Sequence, residues 1–386
     1  MWRLPMRRIL CICLLSTASS LANDMAPIRP AAKLFDQRQP NTLGLATIRG
    51  KHRSIYRATA DGYKFCHHAN LGVWRDRLYL MWSNGIAHED HNGQRVMFAT
   101  SRDGESWSAP AVLIPDCDGP GPLASVAAGW HSTARQLVAY YTAIPEKQPG
   151  DDERNMLFCI TSSDGTTWSA PHSLGQGFFI EGPRSLPDGR LLMNGQWANK
   201  QPRMRYSDGV NGIQGWKDGQ IPTVQDVFSF PEPSWFTRPD GSLVAILRTK
   251  SGDPRIYASV SRDRGTNWSK PVATNYPDAT ARAFAGNLPD GTAFIISNTN
   301  TTPTKSHPSI GRRNPLTIAL SDDGRLFNRA YIVRRAATQM RFPGIHKLDG
   351  WQYPTALVWK QSLYVAYSIN KEDVGVTRIS LADLTP

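Results

Sequence analysis

Cysteine, charged residues and long apolar runs are scarce in this sequence. Only 5 of its 386 residues are cysteine, and 20% are charged. Three cysteines follow the first 22 residues, namely Cys66, Cys117 and Cys159. An odd number of widely spaced cysteines is not a disulfide framework, although two of them could form one bridge. No stretch has the roughly 20 apolar residues that a membrane-spanning helix needs. We therefore expect neither a disulfide-rich domain nor insertion into a membrane.

The first 22 residues have the organisation of an export signal. A basic start with three arginines precedes a short apolar core, and small residues stand at the end of the segment. We expect residues 1–22 to be a signal peptide, residues 23–42 a linker and residues 43–386 a single domain of a periplasmic or extracellular protein. The alternative is that the short apolar run is a buried first strand or helix.

Basic residues remain in excess after that segment. It holds 3 of the 44 Lys and Arg residues and none of the 32 Asp and Glu residues, which leaves 41 basic against 32 acidic residues. No Lys/Arg run, zinc-finger spacing or RNA-binding signature accompanies the excess, so we expect no nucleic-acid partner. An acidic oligosaccharide or polysaccharide suits an exported basic protein, although the excess serves equally as solubility charge.

A short turn motif recurs along the chain. Segments 99–107, 160–168, 259–268 and 319–327 each contain Ser-x-Asp, then Gly, then an aromatic residue, and segment 206–209 is a degenerate copy. Each follows an alternating apolar run that is typical of a strand. Ser and Asp side chains can bond the turn backbone, Gly allows a positive φ, and the ring covers the turn. The motif therefore predicts repeated turns of one shape.

A second turn, Pro-Asp-Gly, alternates with the first at 187–189, 239–241 and 289–291. Together the two turns divide the chain into units of three or four short strands, without helical periodicity. The units are approximately 65–113, 124–174, 178–224, 230–274, 279–333 and 351–386. Four-stranded units repeated around an axis form an all-β propeller. We count six units and expect residues 43–57 to complete the last one; a seventh blade within residues 30–64 is the alternative.

The first turn motif resembles the Asp-boxes of sialidase-type propellers, and the resemblance covers nearly all of the chain after residue 42. It implies a sialidase-like β-propeller, a fold shared by sialidases, other glycosidases and lyases. In a sialidase, three arginines hold a carboxylate, a tyrosine assisted by a glutamate is the nucleophile, and an aspartate is the acid. By position, the resemblance assigns these roles to Arg255 and Arg313, to Tyr353 and Glu232, and to Asp90.

The first of those three arginines is missing. Where it would stand, the first unit has Phe-Cys-His-His-Ala at residues 65–69, which offers His67 and His68 instead. A charge-assisted pair contributes on the order of 1.5–3 kcal/mol, so its loss weakens a carboxylate site. Two imidazoles indicate proton transfer instead.

Segments 65–70, 81–85, 89–96 and 364–373 resemble a second group. These are the propellers, described as seven-bladed, that cleave L-rhamnose-α-1,4-D-glucuronate caps of plant arabinogalactans as hydrolases or lyases. In that group a histidine of the first unit is essential. The resemblance implies a similar acidic substrate for this chain.

Cleavage beside a uronic acid needs cations that neutralise its carboxylate. Arg255 and Arg313 are the first candidates for this task, and Arg205 and Arg282 are weaker ones. Exposed arginines on a β-surface are more often solvated than bound to a ligand.

The same reaction needs a base near neutral pH and an acid for the leaving oxygen. His67 or His68 is the candidate base, and Tyr353 or His88 the candidate acid. Because neighbouring side chains of a strand point to opposite faces, we expect one of the two adjacent histidines to face the site. Hydrolysis by water uses the same groups, so lyase and hydrolase both stay open.

We expect no metal in the site. Cys66, His67, His68, His88 and His91 do not have a recognised zinc spacing, and calcium stays open. Trp82, Trp197 and Trp235 are candidates for stacking on sugar rings. We expect a monomer.

Two other functions compete with cleavage at rhamnosyl-glucuronate. One is an exo-α-sialidase whose first arginine comes from elsewhere, for instance Arg57. The other is a non-catalytic propeller that only binds glycans.

Overall fold

The computed structural model describes residues 26–116, 122–145, 154–197, 200–250 and 252–385. The expected signal peptide and Cys117 lie outside these ranges. Cys66 and Cys159 are buried free thiols. Within the described ranges, no helix is long and apolar enough to cross a bilayer.

The regular secondary structure of the described residues consists almost entirely of strands. Two precede the blades, β1 (Arg29–Pro30) and β2 (Lys51–Tyr56). Blade 1 contains β3 (Phe65–Trp74), β4 (Arg77–Gly85), β5 (Arg95–Ser101) and β6 (Ala111–Ile114). Blade 2 contains β7 (Pro122–Ser132), β8 (Leu137–Pro145), β9 (Met156–Ser162) and β10 (His172–Gln176). Blade 3 contains β11 (Phe178–Phe179), β12 (Arg184–Ser185), β13 (Leu191–Gln196), β14 (Pro202–Ser207) and β15 (Lys217–Gly219).

The remaining strands build the second half of the ring. Blade 4 contains β16 (Ser234–Thr237), β17 (Leu243–Leu247), β18 (Arg255–Ser261) and β19 (Val272–Pro277). Blade 5 contains β20 (Phe284–Asn287), β21 (Ala293–Ser297), β22 (Leu316–Ser321) and β24 (Arg329–Arg334), with β23 (Leu326–Phe327) between the last two. Blade 6 contains β25 (Trp351–Trp359), β26 (Ser362–Ile369) and β27 (Asp373–Ser380), and a 3₁₀ turn (Leu381–Asp383) follows.

The fold is an all-β six-bladed propeller of the sialidase-like kind. The described residues form six antiparallel sheets of four or five strands, one for each predicted unit. Strand β2 pairs with β27 at the edge of blade 6, so the N-terminal region supplies the fourth strand of the last blade. This confirms the prediction for residues 43–57, and the described part of residues 30–64 forms no seventh blade.

The Asp-box turns have the predicted geometry. In the second copy, Oδ1 of Asp164 accepts hydrogen bonds of 2.7 Å from the backbone N–H groups of Thr166 and Thr167. Ser162 Oγ accepts one of 2.7 Å from the N–H of Gly165, whose φ is +81°. In the other three copies, Oδ1 of Asp103, Asp263 and Asp323 likewise accepts a hydrogen bond from a backbone N–H group of its own turn. These bonds hold the pKa of the Asp164 carboxyl below its usual range.

Apolar side chains fill the spaces between neighbouring blades. One cluster of buried residues lies between each adjacent pair of blades, and the cluster between blades 6 and 1 closes the ring with Trp82, Leu80 and Tyr364. Because both faces of a blade are covered, a strand such as β4 is buried over almost its whole length. Trp82 and Trp235 belong to these clusters rather than to a surface that could bind sugar.

Part of the predicted linker packs on the propeller. Strand β1 pairs in parallel with β23, and Ile28 is fully buried in the cluster between blades 4 and 5. The side chain of Gln37 donates a 2.8 Å hydrogen bond to the carbonyl of Thr299. The described residues 26–42 therefore do not form a free connector.

Candidate active site

A cavity of about 470 Å³ opens at the centre of one end of the ring. All six blades contribute to its wall. Its titratable lining comprises His68, Glu89, Asp90, His91, Lys200, Glu232, Arg248, His307, Arg313, His346, Tyr353 and Lys371. The volume lies in the range that small-molecule sites occupy. We consider this cavity the candidate active site.

Bulges in two inner strands direct side chains into the cavity. The register of β3 shifts between His67 and Asn70, and that of β25 shifts between Gln352 and Thr355. Within these shifts, His68 and Tyr353 have φ values of +51° and +54°. Non-glycine residues rarely adopt such a conformation, and it marks functional sites when the surrounding structure maintains it.

One of the two adjacent histidines lines the cavity, as expected, but a bulge in β3 means that they do not simply point to opposite faces of a regular strand. An extra residue interrupts the alternation of side chains. The rings of His67 and His68 consequently lie 4.1 Å apart, and the ring of Tyr353 lies 3.9 Å from that of His67. His68 lines the cavity, whereas His67 is fully buried behind it.

Tyr353 and Glu232 meet through one arginine. Nη1 of Arg248 donates hydrogen bonds of 2.7 Å to Oη of Tyr353 and to Oε2 of Glu232. Glu232 has a φ of +40° between two prolines, and this conformation fixes its direction. Burial raises the pKa of the Tyr353 phenol, although Arg248 opposes this change. The phenol is therefore protonated near neutral pH and needs a base before it can react.

Arg313 brings a second guanidinium to Tyr353. Its Cζ lies 5.5 Å from the centre of the tyrosine ring, and its Nη1 bonds the neutral side chain of Gln352. The residue is only 4% exposed, and burial lowers its pKa. Among the described residues no carboxylate forms an ion pair with Arg313, and its Nε has no hydrogen-bond partner. Glu89 and Glu232 favour the charged form of Arg313 only from beyond ion-pair distance, and a buried charge without a direct acidic partner is costly unless a ligand supplies one.

Lys371 and Glu89 complete the charged centre. Nζ of Lys371 lies 2.5 Å from Oε2 of Glu89 and 5.3 Å from the ring centre of Tyr353. Oε1 of Glu89 faces Nε2 of His67 at 3.2 Å. Burial, followed by the nearby Lys371 cation, holds the pKa values of His67 and His68 well below the ordinary value, so both imidazoles are neutral.

One group of residues has the donors for a metal ion. The ligand atoms of His67, His68 and Glu89 lie within 4.8 Å of one another, and zinc accepts such donors. However, Lys371 already binds one Glu89 oxygen, and Arg313 adds a further positive charge near His67. The same repulsion that disfavours a proton on these histidines disfavours a dication. The surroundings suit an anion better than a metal ion.

The structure corrects the positions of four candidate residues. Arg255 is half exposed, pairs with Asp253 at 2.8 Å and does not line the cavity. Arg205 and Arg282 are buried outside the lining, and His88 accepts a hydrogen bond from the backbone of a surface loop. Because these side chains are engaged elsewhere, the geometry does not support their assignment to substrate contact or proton transfer. Arg313, Tyr353, Glu232, Asp90 and His68 do line the cavity together.

Sequence reasoning missed three members of the centre. Arg248 directly follows the buried strand β17. A charged residue immediately after an apolar strand is a local pattern that could have identified it as a candidate. Lys371 stands in the turn between β26 and β27, next to strands of ordinary pattern. Sequence reasoning selects Asp90 rather than its neighbour Glu89. Nothing local marks the last two, since their partners are distant in sequence.

Comparisons with known proteins agree with this architecture. The model of the BNR repeat-like domain family matches residues 76–365. The chain belongs to this family. No curated protein matches it by sequence.

Solved structures show the same fold at low sequence identity. A protein named sialidase aligns with a TM-score of 0.66 at 18% identity, over 92% of this chain and 35% of the other, so the chain spans about a third of that protein. The Ruminococcus gnavus intramolecular trans-sialidase, solved with oseltamivir carboxylate, gives 0.65 at 12% identity over 90% and 99%. The leech intramolecular trans-sialidase, solved with 2,7-anhydro-Neu5Ac, gives 0.64 at 14% identity over 88% and 71%. At these identities the likeness shows the fold alone.

Proposed function

We propose that this BNR-family propeller cleaves a glycosidic bond at a carboxylated sugar by hydrolysis. The observation that carries the proposal is the buried Arg313 guanidinium, which lacks an acidic partner among the described residues and lies beside the Tyr353 ring. A substrate carboxylate would neutralise it. Arg248 and Lys371 add two more positive charges around the same tyrosine. The names of the solved structures with this fold, sialidases and trans-sialidases, are consistent with such a substrate.

The groups at the centre can perform the reaction in two steps. Tyr353 Oη attacks the anomeric carbon while its proton passes to Glu232, and Asp90 protonates the departing oxygen as the glycosidic bond breaks. Water then attacks the sugar, its proton goes to Asp90, and the tyrosine recovers its proton from Glu232. Arg248, bonded to both Tyr353 and Glu232, stabilises the phenolate character that develops during the attack.

A substrate screen with matched variants tests the proposal. The wild-type protein is incubated with 3′-sialyllactose and with arabinogalactan, and free sialic acid and free rhamnose are measured. Tyr353→Phe and Arg313→Gln should each lower kcat/KM on the cleaved substrate at least ~100-fold, because each removes a charged or nucleophilic contact in a buried site. Arg255→Gln, the matched arginine outside the cavity, should stay within ~2-fold of wild type.

Two results would contradict the proposal. One is saturable glycan binding without any release of sugar, which is the behaviour of a binding module. The other is an Arg255→Gln variant as impaired as Arg313→Gln, since that would place the carboxylate elsewhere.

A lyase acting on rhamnosyl-glucuronate is the second candidate, and His68 favours it. This imidazole is neutral, lines the cavity and lies 5.6 Å from the Tyr353 ring, so it can serve as a base for the C5 proton of a uronate. Ultraviolet absorbance of an unsaturated uronate, lost in His68→Gln, would support this reaction. Release of saturated sugar with an active His68→Gln variant would support hydrolysis through Tyr353.

A further inference from the structure

Two exposed aromatic side chains stand at the same cavity. Among the described residues, Trp197 and Phe230 are the tryptophan and phenylalanine side chains with large exposure, 36% and 46%. Both line the cavity, although they come from different blades. Exposed aromatic side chains that meet in one cavity, unlike ones scattered singly over a surface, indicate a surface that binds a ligand.

The position of Trp197 is fixed by its neighbours. Its backbone N–H donates to the carbonyl of Gln201 at 2.9 Å, and its carbonyl accepts from the N–H of Lys200 at 2.9 Å. The guanidinium of Arg203 lies over the indole ring at 3.6 Å, and Asp218 holds that guanidinium at 2.8 Å. The indole is therefore supported from behind by a cation–π contact rather than free to move.

Phe230 is connected rigidly to the charged centre. It precedes the segment Pro231–Glu232–Pro233, and the carbonyl of Pro231 accepts a 2.9 Å hydrogen bond from the N–H of Arg248. Since Glu232 bonds the side chain of the same arginine, Phe230 stands two residues from a catalytic contact. The cavity thus combines a charged floor around Tyr353 with a rigid aromatic part.

We propose that Trp197 and Phe230 form a subsite for a neutral sugar ring attached to the acidic sugar. The proposal rests on the proposed function and specifies its substrate as an oligosaccharide rather than a simple glycoside. Sugar rings present C–H faces that pack on aromatic rings, while their hydroxyl groups stay in water. When the carboxylated sugar binds at Arg313, the uncharged sugar attached to it packs against these two aromatic side chains.

Two ligand pairs with the same acidic sugar test the subsite. We would compare methyl α-sialoside with 3′-sialyllactose, and methyl glucuronide with a rhamnosyl-glucuronate-capped arabinogalactan oligosaccharide. Binding is measured by calorimetry in the Tyr353→Phe background, so that no substrate is consumed. Trp197→Ala and Phe230→Ala should each raise Kd for the longer ligand of the bound pair about 10-fold. The Kd of the methyl glycoside should stay within 2-fold of its value without these substitutions. Trp197→Phe should retain most of the affinity for the longer ligand.

The matched control is Val272→Ala, an exposed apolar residue on the outer strand of blade 4 that does not line the cavity. Equal losses for long and short ligands in Trp197→Ala, or no loss for either, would overturn the subsite. So would failure of the longer ligands of both pairs to bind. Because binding is read without turnover, a protein that binds these glycans but does not cleave them would refute the proposed function and still allow the subsite to be confirmed.

Discussion

Behind the Arg248–Glu232 pair lies a further acidic side chain, Asp278. It is 1% exposed and borders a small void together with those two residues. Its Oδ1 accepts a 3.3 Å hydrogen bond from the N–H of Ala281, and its Oδ2 has no partner among the described residues. Burial raises the pKa of this carboxyl to about 7, although Arg248 opposes the shift. Asp278 is therefore neutral in the folded protein at mildly acidic pH.

The raised pKa of Asp278 predicts a pH-dependent effect on stability. Between about pH 4 and pH 7 this carboxyl is ionised in the unfolded chain and protonated in the folded one, so stability is lost as the pH rises through that window. Asp278→Asn removes the titration. The free energy of unfolding of Asp278→Asn minus that of wild type should therefore increase from pH 4 to pH 8. The increase should reach up to about 4 kcal/mol for a pKa shift of this size. Urea unfolding at both pH values measures the difference.

The control for Asp278→Asn is Asp76→Asn, whose side chain is 70% exposed. This variant should change little with pH. A difference between Asp278→Asn and wild type that is the same at pH 4 and pH 8 would show that Asp278 does not titrate as proposed.

At the scale of secondary-structure elements, β-bulges position the side chains of the candidate site. Strands β3, β7 and β25 all shift register near their middle, and the residue with positive φ is His68 in the first, Gly129 in the second and Tyr353 in the third. At Gly129 a Cβ atom would meet the backbone of Gly182 at 2.4 Å, so only glycine fits there. The same backbone feature therefore serves packing in blade 2 and carries the cavity-lining side chains of His68 and Tyr353 in blades 1 and 6.

The Asp-box turn makes a prediction about blade stability. Asp164→Ala leaves two backbone N–H groups and the Ser162 hydroxyl without their acceptor. We expect a loss of about 1–3 kcal/mol in the free energy of unfolding. Asp76→Ala, which removes only a surface ion pair with Lys360, should stay within about 1 kcal/mol of wild type. Equal effects of the two substitutions would contradict a structural role for the turn.

For the whole molecule, closure of the ring depends on strand β2. It pairs with β27 from Lys51↔Arg378 to Tyr56↔Val374 and so connects the beginning of the propeller to its last blade. Without it, β27 becomes an unprotected edge that can pair with other chains. The cluster of Trp82 and Tyr364 between blades 6 and 1 also includes Ile55 and Tyr56 at its border.

Removal of the closing strand tests this dependence. A chain that begins at residue 57 should melt at a clearly lower temperature than a chain that begins at residue 26, and it should aggregate on heating. Each kcal/mol lost corresponds to roughly 1–2 °C in a chain of this size, because the entropy of unfolding grows with the number of residues. Thermal unfolding followed by circular dichroism, with light scattering for aggregation, measures both effects. Equal melting temperatures would show that β2 is dispensable for closure.

Much of the architecture could be predicted because its signals are local. The Asp-box and Pro-Asp-Gly turns each require their own few residues, and these recur at the spacing of one blade. The unit boundaries, the six-blade count and the closing strand follow from that repetition. One cavity is lined by Tyr353, Glu232, Arg313 and His68, in agreement with the positions given by the family resemblance. Their catalytic roles stay predictions that the variants above test.

What the sequence determined by itself is therefore the repeated blade and its turns, because each turn is stabilised within a dozen residues. The tertiary structure decided which arginines meet Tyr353 and which way the adjacent histidines point. The sequence favours Arg255, which precedes an Asp-box, yet Arg248 bonds Tyr353 while Arg255 pairs with Asp253 on the surface. That choice depends on bulges and on contacts between blades more than a hundred residues apart, where no local pattern exists to be read.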